Sequence, residues 1–181
     1  MGVEEVCLPD LLREQARETP NAMALVCGRE QLSYRGLDHA TDSLCAFLRL
    51  QGISLDDRVG IFMQTCSEYV VASIGTLKAG AAFMPLALQS PDNLLRAILT
   101  EARPKVIVTR AQHVARLAPL TDAQILPIDS DQSWRSCEAE VHGPDITRDN
   151  LAFVPYTSGT TGDPKGVMQT HGAVISSYFG R

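Results

Sequence analysis

Three short apolar runs, Val59-Gly60-Ile61-Phe62-Met63, Ala82-Phe83-Met84 and Val106-Ile107-Val108, are separated by two stretches with helical periodicity. The first stretch, residues 68–78, carries Val70, Ile74 and Leu77 on its expected inward face and stops at Gly80. The second opens at Ser90-Pro91-Asp92. There a capping hydroxyl, a proline at the first turn and an acid beside the positive end of the helix dipole all favour a helix start. It carries Leu94, Leu95, Ile98, Leu99 and Ala102 as far as Pro104. Strand–helix–strand–helix–strand makes neighbouring strands parallel, because each crossover helix returns the chain to the same end of the sheet. Strands that are apolar at consecutive positions suit a sheet covered on both faces. The expected fold class is α/β, with a mostly parallel sheet covered by helices.

The flanks extend this unit. Residues 8–17 place Leu8, Leu11, Leu12 and Ala16 on a helical stripe that Pro20-Asn21 ends, and residues 22–27 read as a short strand turned by Gly28-Arg29. Ser33 is the expected N-cap of a helix striped by Leu37, Ala40, Leu44, Phe47 and Leu48, with Gly52 at its C-terminal stop. A short helix near residues 111–117 and a strand at 125–128 follow. Residues 129–150 are polar and mixed, which predicts a surface excursion, with Trp134 in local packing. Met63, Met84 and Met168 fall on expected strands and read as core.

Composition narrows the function classes. A chain of 181 residues with 16 basic and 21 acidic side chains, net charge -5, lacks the clustered basic excess of a nucleic-acid surface. The start, Met1-Gly2-Val3-Glu4-Glu5-Val6, has neither the basic segment nor the apolar segment of a signal peptide. No apolar run reaches membrane-spanning length. Cys7, Cys27, Cys45, Cys66 and Cys137 form no close pairs and read as reduced, mostly buried thiols of a cytoplasmic protein. His39, His113, His142 and His171 are scattered, so no metal site is expected.

Chemistry concentrates in Tyr156-Thr157-Ser158-Gly159-Thr160-Thr161-Gly162-Asp163-Pro164-Lys165-Gly166, between strand-like runs at 151–157 and 167–170. Glycines let successive amide N–H groups converge on one concavity. Thr157, Ser158, Thr160 and Thr161 add hydroxyl donors, and Lys165 adds a cation. A polyphosphate is matched by that set of many donors and one positive charge. The run is not a Walker A loop, which ends Gly-Lys-Ser/Thr where this one has Pro164-Lys165-Gly166, and the sequence holds no GxGxxG or GxSxG. The plainer alternative is a glycine-rich hairpin turn with incidental hydroxyls.

Residues 156–166 closely resemble the phosphate loop of the adenylate-forming superfamily: acyl-CoA synthetases, luciferases and the adenylation domains of nonribosomal peptide synthetases. Leu77-Lys78-Ala79-Gly80-Ala81-Ala82-Phe83-Met84-Pro85-Leu86, Leu32-Ser33-Tyr34 with the helix to Gly52, and Asp57-Arg58-Val59-Gly60 resemble further family segments in the same order. The wording is most like peptide-synthetase adenylation domains. The resemblance implies an N-terminal portion of an AMP-binding domain over residues 1–181, with a glycine-rich phosphate loop between two strands. It also implies ATP with magnesium as cofactor, Thr157, Ser158, Gly159, Thr160, Thr161, Gly162 and Lys165 around the β- and γ-phosphates, and a carboxylic or amino acid as substrate. CoA, or the phosphopantetheine arm of a carrier-protein domain, would accept the acyl group. Two positions depart from the family pattern: Ala87-Leu88-Gln89-Ser90 replaces the usual Asp-Pro after Pro85-Leu86, and Asp163 precedes Pro164.

The family's adenine, ribose, magnesium and acyl-binding segments and its C-terminal lysine are expected beyond Arg181. No complete catalytic set is therefore expected within this chain, nor activity from it alone. The competing reading is a non-catalytic partner-binding protein derived from such a domain. Among other residues, His171 has two readings, one approaching the substrate side of the site and the plainer one a helix-start or surface histidine. Cys66 reads as an inert buried thiol despite its helix-start position.

Overall fold

The computed structural model describes residues 6–137, 144–158 and 164–179. The chain opens with helix α1 (Leu8–Glu18), where Cys7 N–H donates to the Asp10 carboxylate at 2.9 Å. Strands β1 (Met23–Cys27) and β2 (Glu30–Ser33) form a small antiparallel ribbon. Helix α2 (Tyr34–Leu50) follows, and the Ser33 hydroxyl accepts the Gly36 N–H at 3.2 Å, as the sequence predicts of a cap. Gly52 just beyond it has φ +80, the left-handed conformation that lets the chain turn off a helix end.

The α/β repeat is then regular: β3 (Arg58–Phe62), α3 (Ser67–Lys78), β4 (Ala82–Pro85), α4 (Asp92–Ala102), β5 (Val106–Thr109), α5 (Ala111–Leu117) and β6 (Gln124–Pro127). Next come β7 (Leu151–Phe153), β8 (Tyr156–Ser158), β9 (Pro164–Gly166), β10 (Gln169–Thr170) and α6 (His171–Phe179). Six strands form one sheet in the order β10-β7-β4-β3-β5-β6. All its pairings are parallel except β10 against β7.

Helices cover both faces, and the strands show why. Val59, Ile61, Val106 and Val108 pack with Leu37, Leu44, Leu48, Val71 and Ala72 from α2 and α3. Alternate residues Phe62, Met84 and Ile107 pack with Leu95, Ile98, Leu99 and Leu117 from α4 and α5 on the other face. Each large apolar side chain removed from water here contributes about 2 kcal/mol. The expected α/β class and mostly parallel, doubly covered sheet are the observed ones.

Several local expectations are corrected. Val70 and Ile74 are only half-buried, because α3 turns Val71, Ala72, Gly75 and Thr76 inward against α2. Ser90 does not cap α4: Pro91 holds that position, and the Arg116 guanidinium from α5 organises the start instead. Arg116 donates to the carbonyls of Leu88 at 2.6 Å and Ser90 at 2.5 Å, and to the Asp92 carboxylate at 2.9 Å. The expected surface excursion is anchored by a 3-10 turn, Ser133–Ser136, whose Trp134 is 1% exposed and belongs to the α2–α3 core. Residues 138–143 of that stretch lie outside the described residues. Met168 is 62% exposed and in no strand, so it is not core. All five cysteines are unpaired, but only Cys7 and Cys45 are buried. No helix among the described residues is long and apolar enough to cross a membrane.

Candidate functional site

The run at 151–157, expected as one strand, breaks at Val154-Pro155. Val154 N–H donates to the Phe83 carbonyl at 3.1 Å, while Pro155 has no N–H to continue a ladder. The chain therefore leaves the six-stranded sheet and re-enters β structure as β8. There it pairs antiparallel with β9 in a separate two-stranded ribbon, with Tyr156 opposite Gly166, Thr157 opposite Lys165 and Ser158 opposite Pro164. Val167 N–H closes the base of the ribbon on the Pro155 carbonyl at 2.9 Å.

Residues directly opposite in a ribbon share a face, and successive residues alternate. Thr157 and Lys165 therefore stand together on one face, and both are exposed. Tyr156 stands on the other, where its ring crosses Gly166. A Cβ at residue 166 would lie 3.0 Å from Tyr156 Cζ and 3.1 Å from Val154 Cγ1, so a side chain there would displace the ring. The Tyr156 hydroxyl donates to the Glu101 carboxylate at the end of α4. Burial, and then that carboxylate, push the tyrosine hydroxyl well above its ordinary pKa. Of the predicted phosphate ligands, the structure brings Thr157 and Lys165 together and puts Ser158 at the ribbon's end. Gly159, Thr160, Thr161 and Gly162 lie outside the described residues. The Lys165 side chain makes no hydrogen bond or ion pair with another described residue.

Beside the ribbon base lies a cleft of about 520 Å³. Its walls include Met63 and Thr65 after β3, Pro85 and Ala87 after β4, and Pro155 and Tyr156. It thus lies at the carboxyl ends of parallel strands, where α/β sheets bind ligands. The neighbouring crevice between β3 and β5 is filled instead. Thr109 Oγ1 donates to the Phe62 carbonyl at 2.6 Å, the His113 ring meets the Phe62 ring edge-on, and the Arg116 guanidinium lies 5.4 Å from the same ring.

His171 is not a surface residue. Its side chain is fully buried at the start of α6, its Nδ1 accepts the Leu8 N–H at 3.3 Å, and its Nε2 has no partner among the described residues. Burial lowers its pKa, against the opposing pull of Asp10 and Asp56. It joins α1 to the region after the ribbon and stays away from the cleft lining. Cys66 is half-buried at the N-cap of α3. Burial and a hydrogen bond with Glu68 raise its pKa, which disfavours the thiolate, but it is half-buried and not the buried thiol expected. No group of three or more His, Cys, Asp or Glu side chains among the described residues is placed to hold a metal ion.

A family profile described as AMP-binding enzyme matches residues 12–181, nearly the whole sequence and all of the ribbon. The chain belongs to the AMP-binding enzyme family. Its curated relatives include the glycine betaine reductase ATRR of Emericella nidulans, 35% identical over 174 residues, with 94% of this chain and 14% of that protein covered. Malpinin synthetase of Mortierella alpina is 35% identical over 173 residues, covering 94% of this chain and 2% of that protein. The AMP-binding chain therefore spans a small part of the length of these relatives. Among solved structures, the nonribosomal peptide synthetase FmoA3 bound to α-methyl-L-serine-AMP is 28% identical with a TM-score of 0.82, covering 98% of this chain and 19% of that one. The N-terminal subdomain of Klebsiella oxytoca NpsA, 23% identical, shares the fold with a TM-score of 0.77 over 91% of this chain and 40% of its own. The AMP-binding chain thus has the fold of the N-terminal subdomain of adenylate-forming enzymes, and its homology is to peptide-synthetase adenylation domains.

Glu101 is a part of the site that the sequence reading does not find, whereas Gly166 closes the run already singled out. The available signal was an acid in the last turn of a helix, where the dipole disfavours it.

Proposed function

We propose that the ribbon β8–β9 grips the β- and γ-phosphates of ATP in a carboxylate-activating reaction, with residues 1–181 as the N-terminal portion of an adenylation domain. The observation that carries this reading is the cross-strand pair: Lys165 directly opposite Thr157, both exposed, on a ribbon within a family-matched segment. The ammonium of Lys165 neutralises phosphate charge and the Thr157 hydroxyl donates to a phosphate oxygen. Ser158, Gly159, Thr160, Thr161 and Gly162 are assigned to the same grip by family resemblance.

In the reaction of the whole protein, the acid's carboxylate oxygen attacks the α-phosphorus. The bond from that phosphorus to the β-bridging oxygen breaks, leaving an acyl-adenylate and pyrophosphate. Positioned donors that hold the departing pyrophosphate stabilise the charge it gains. Magnesium, arriving with the triphosphate, supplies further charge neutralisation. The thiol of a carrier-protein phosphopantetheine arm or of CoA then attacks the acyl carbonyl, forming a thioester and releasing AMP. The 181 residues span a small part of these relatives' length, and by themselves are expected to catalyse no acid-dependent ATP–pyrophosphate exchange.

Calorimetric titration of the chain with Mg-ATP and with magnesium tripolyphosphate tests the grip. Wild-type chain binds both, and Lys165→Ala weakens both by about tenfold or more, the worth of a charge-assisted contact. Equal binding by wild type and Lys165→Ala refutes the assignment.

A further inference from the structure

The ribbon β8–β9 shares no hydrogen-bonded ladder with the six-stranded sheet. It lies over α4, but a gap of about 210 Å³ remains between them, lined by Ser90, Leu94, Ile98, Tyr156 and Pro164 among others. Tyr156 packs against the α4 core, but a gap of that size leaves part of the ribbon's underside without close packing to fix its tilt. Among the described residues, the side-chain hydrogen bond that crosses from ribbon to helix runs from the Tyr156 hydroxyl to the Glu101 carboxylate.

Glu101 stands in an unfavourable place. It lies in the last turn of α4, where the carbonyl ends repel an anion, and no basic residue of that turn offsets it. Arg58 Nη1 reaches the same helix end from β3, donating to the Ala102 carbonyl at 3.1 Å. An acid at the wrong end of a helix, spent on a tyrosine from another element, departs from local preference in the way functional positions do.

We propose that Glu101 is a positioning residue for the ribbon: by accepting the Tyr156 hydroxyl, its carboxylate sets the tilt of β8–β9 over α4. Strand alternation carries that constraint outward. With Tyr156 held against the helix, Thr157 and its opposite neighbour Lys165 face away from it. Glu101 thus orients the two exposed donors without touching what they hold. The inference rests on the phosphate-gripping reading of the ribbon, but the tether can be measured independently of any ligand.

Hydrogen exchange on the 181-residue chain tests it, comparing wild type, Tyr156→Phe, Glu101→Ala and Glu101→Gln, with a urea midpoint for each. In Tyr156→Phe and Glu101→Ala, amides of residues 156–158 and 164–166 exchange about tenfold faster, while β3 and β5 amides and the urea midpoint hold. Glu101→Gln keeps an acceptor and restores wild-type exchange. Mg-ATP affinity falls about tenfold in the first two variants and recovers in the third. Unchanged ribbon exchange in both Tyr156→Phe and Glu101→Ala overturns the proposal. So does faster exchange spread evenly over the chain with a lowered midpoint, which marks Glu101 as an ordinary stabilising residue. Failure of wild-type chain to bind Mg-ATP removes the phosphate reading, while ribbon exchange still decides the tether.

Discussion

Lys78 Nζ lies 2.6 Å from Asp38 Oδ1, with the lysine side chain fully buried and the aspartate 26% exposed. Asp42 Oδ1 approaches the same ammonium at 2.7 Å and the Asp38 carbonyl accepts from it at 3.1 Å, so the last turn of α3 is clamped to α2. The two sides of this cluster differ in access to water, and their removal has unequal costs. Without the lysine, both carboxylates can rehydrate. Without the carboxylate charges, a buried ammonium is left with neutral acceptors only.

Lys78→Met is therefore expected to lower the unfolding free energy by about 2 kcal/mol, and Asp38→Asn with Asp42→Asn by about 3–5 kcal/mol. Urea unfolding at neutral pH measures both. A lysine removal as costly as the double acid removal contradicts this account.

The α2–α3 contact also depends on Gly75. A Cβ there would stand 2.9 Å from Leu44 Cδ2 and 3.0 Å from Leu44 Cβ, and Leu44 is fully buried. Gly75→Ala gains about 1 kcal/mol of helix propensity but forces the helices apart, at a cost of about 1–3 kcal/mol. The single substitution is expected to be net destabilising. Combined with Leu44→Ala, the two costs fall short of additive, because the added methyl enters the vacated space. A double-mutant cycle in urea gives the coupling, and strict additivity would refute the steric explanation.

His171 gives stability a pH dependence near neutrality. Burial holds the folded imidazole below the ordinary value of 6.5, so the unfolded chain takes up the proton first as pH falls. The stability that rests on neutral His171 is complete above about pH 6.5. It declines below that by up to about 1.4 kcal/mol per pH unit, until the folded histidine also titrates. His171→Asn, which keeps an acceptor for the Leu8 N–H, is expected to flatten urea midpoints between about pH 7.5 and 5.5 relative to wild type. Parallel curves for the two proteins would exclude the histidine as the cause.

Cys45 is held out of thiol chemistry. Burial, reinforced by Asp42, pushes its pKa up to about 11, which leaves about one molecule in a thousand as thiolate at pH 8. With a maleimide at that pH, mass spectrometry is expected to find Cys45 modified only when urea unfolds the chain. Rapid labelling in the native state would show α2 opening locally.

The repeating core was readable because each strand run is apolar throughout and each helix carries a stripe, so the pattern depends on few distant contacts. Ser33 could be named as a cap because its partner, Gly36 N–H, is three residues away. Misreadings occurred where the deciding partner is remote. Ser90 has the right chemistry for a cap, but Arg116 from another helix holds that end. His171 starts a helix, as one of its two plain readings has it, but the contact with Leu8 buries it, and Trp134 packs locally on Ile128 yet also joins the α2–α3 core. Within the site, the pairing of Thr157 with Lys165 was not legible, because the second strand-like run starts at Val167 whereas β9 is Pro164–Gly166. The contact of Tyr156 with Glu101 spans 55 residues, and its one local trace, an acid in the last turn of α4, does not name the partner.

The ladder between β8 and β9 is closed on itself, hydrogen-bonded to neither edge of the main sheet. Scaffold and grip are consequently separable quantities. The temperature at which the sheet melts reports on residues such as Val59, Ile61 and Ile107, whereas the phosphate grip proposed for the ribbon rests on residues at 156–158 and 164–166. Substitutions can retune the second without lowering the first, which gives this architecture room to vary its ligand contacts while the layers beneath stay intact.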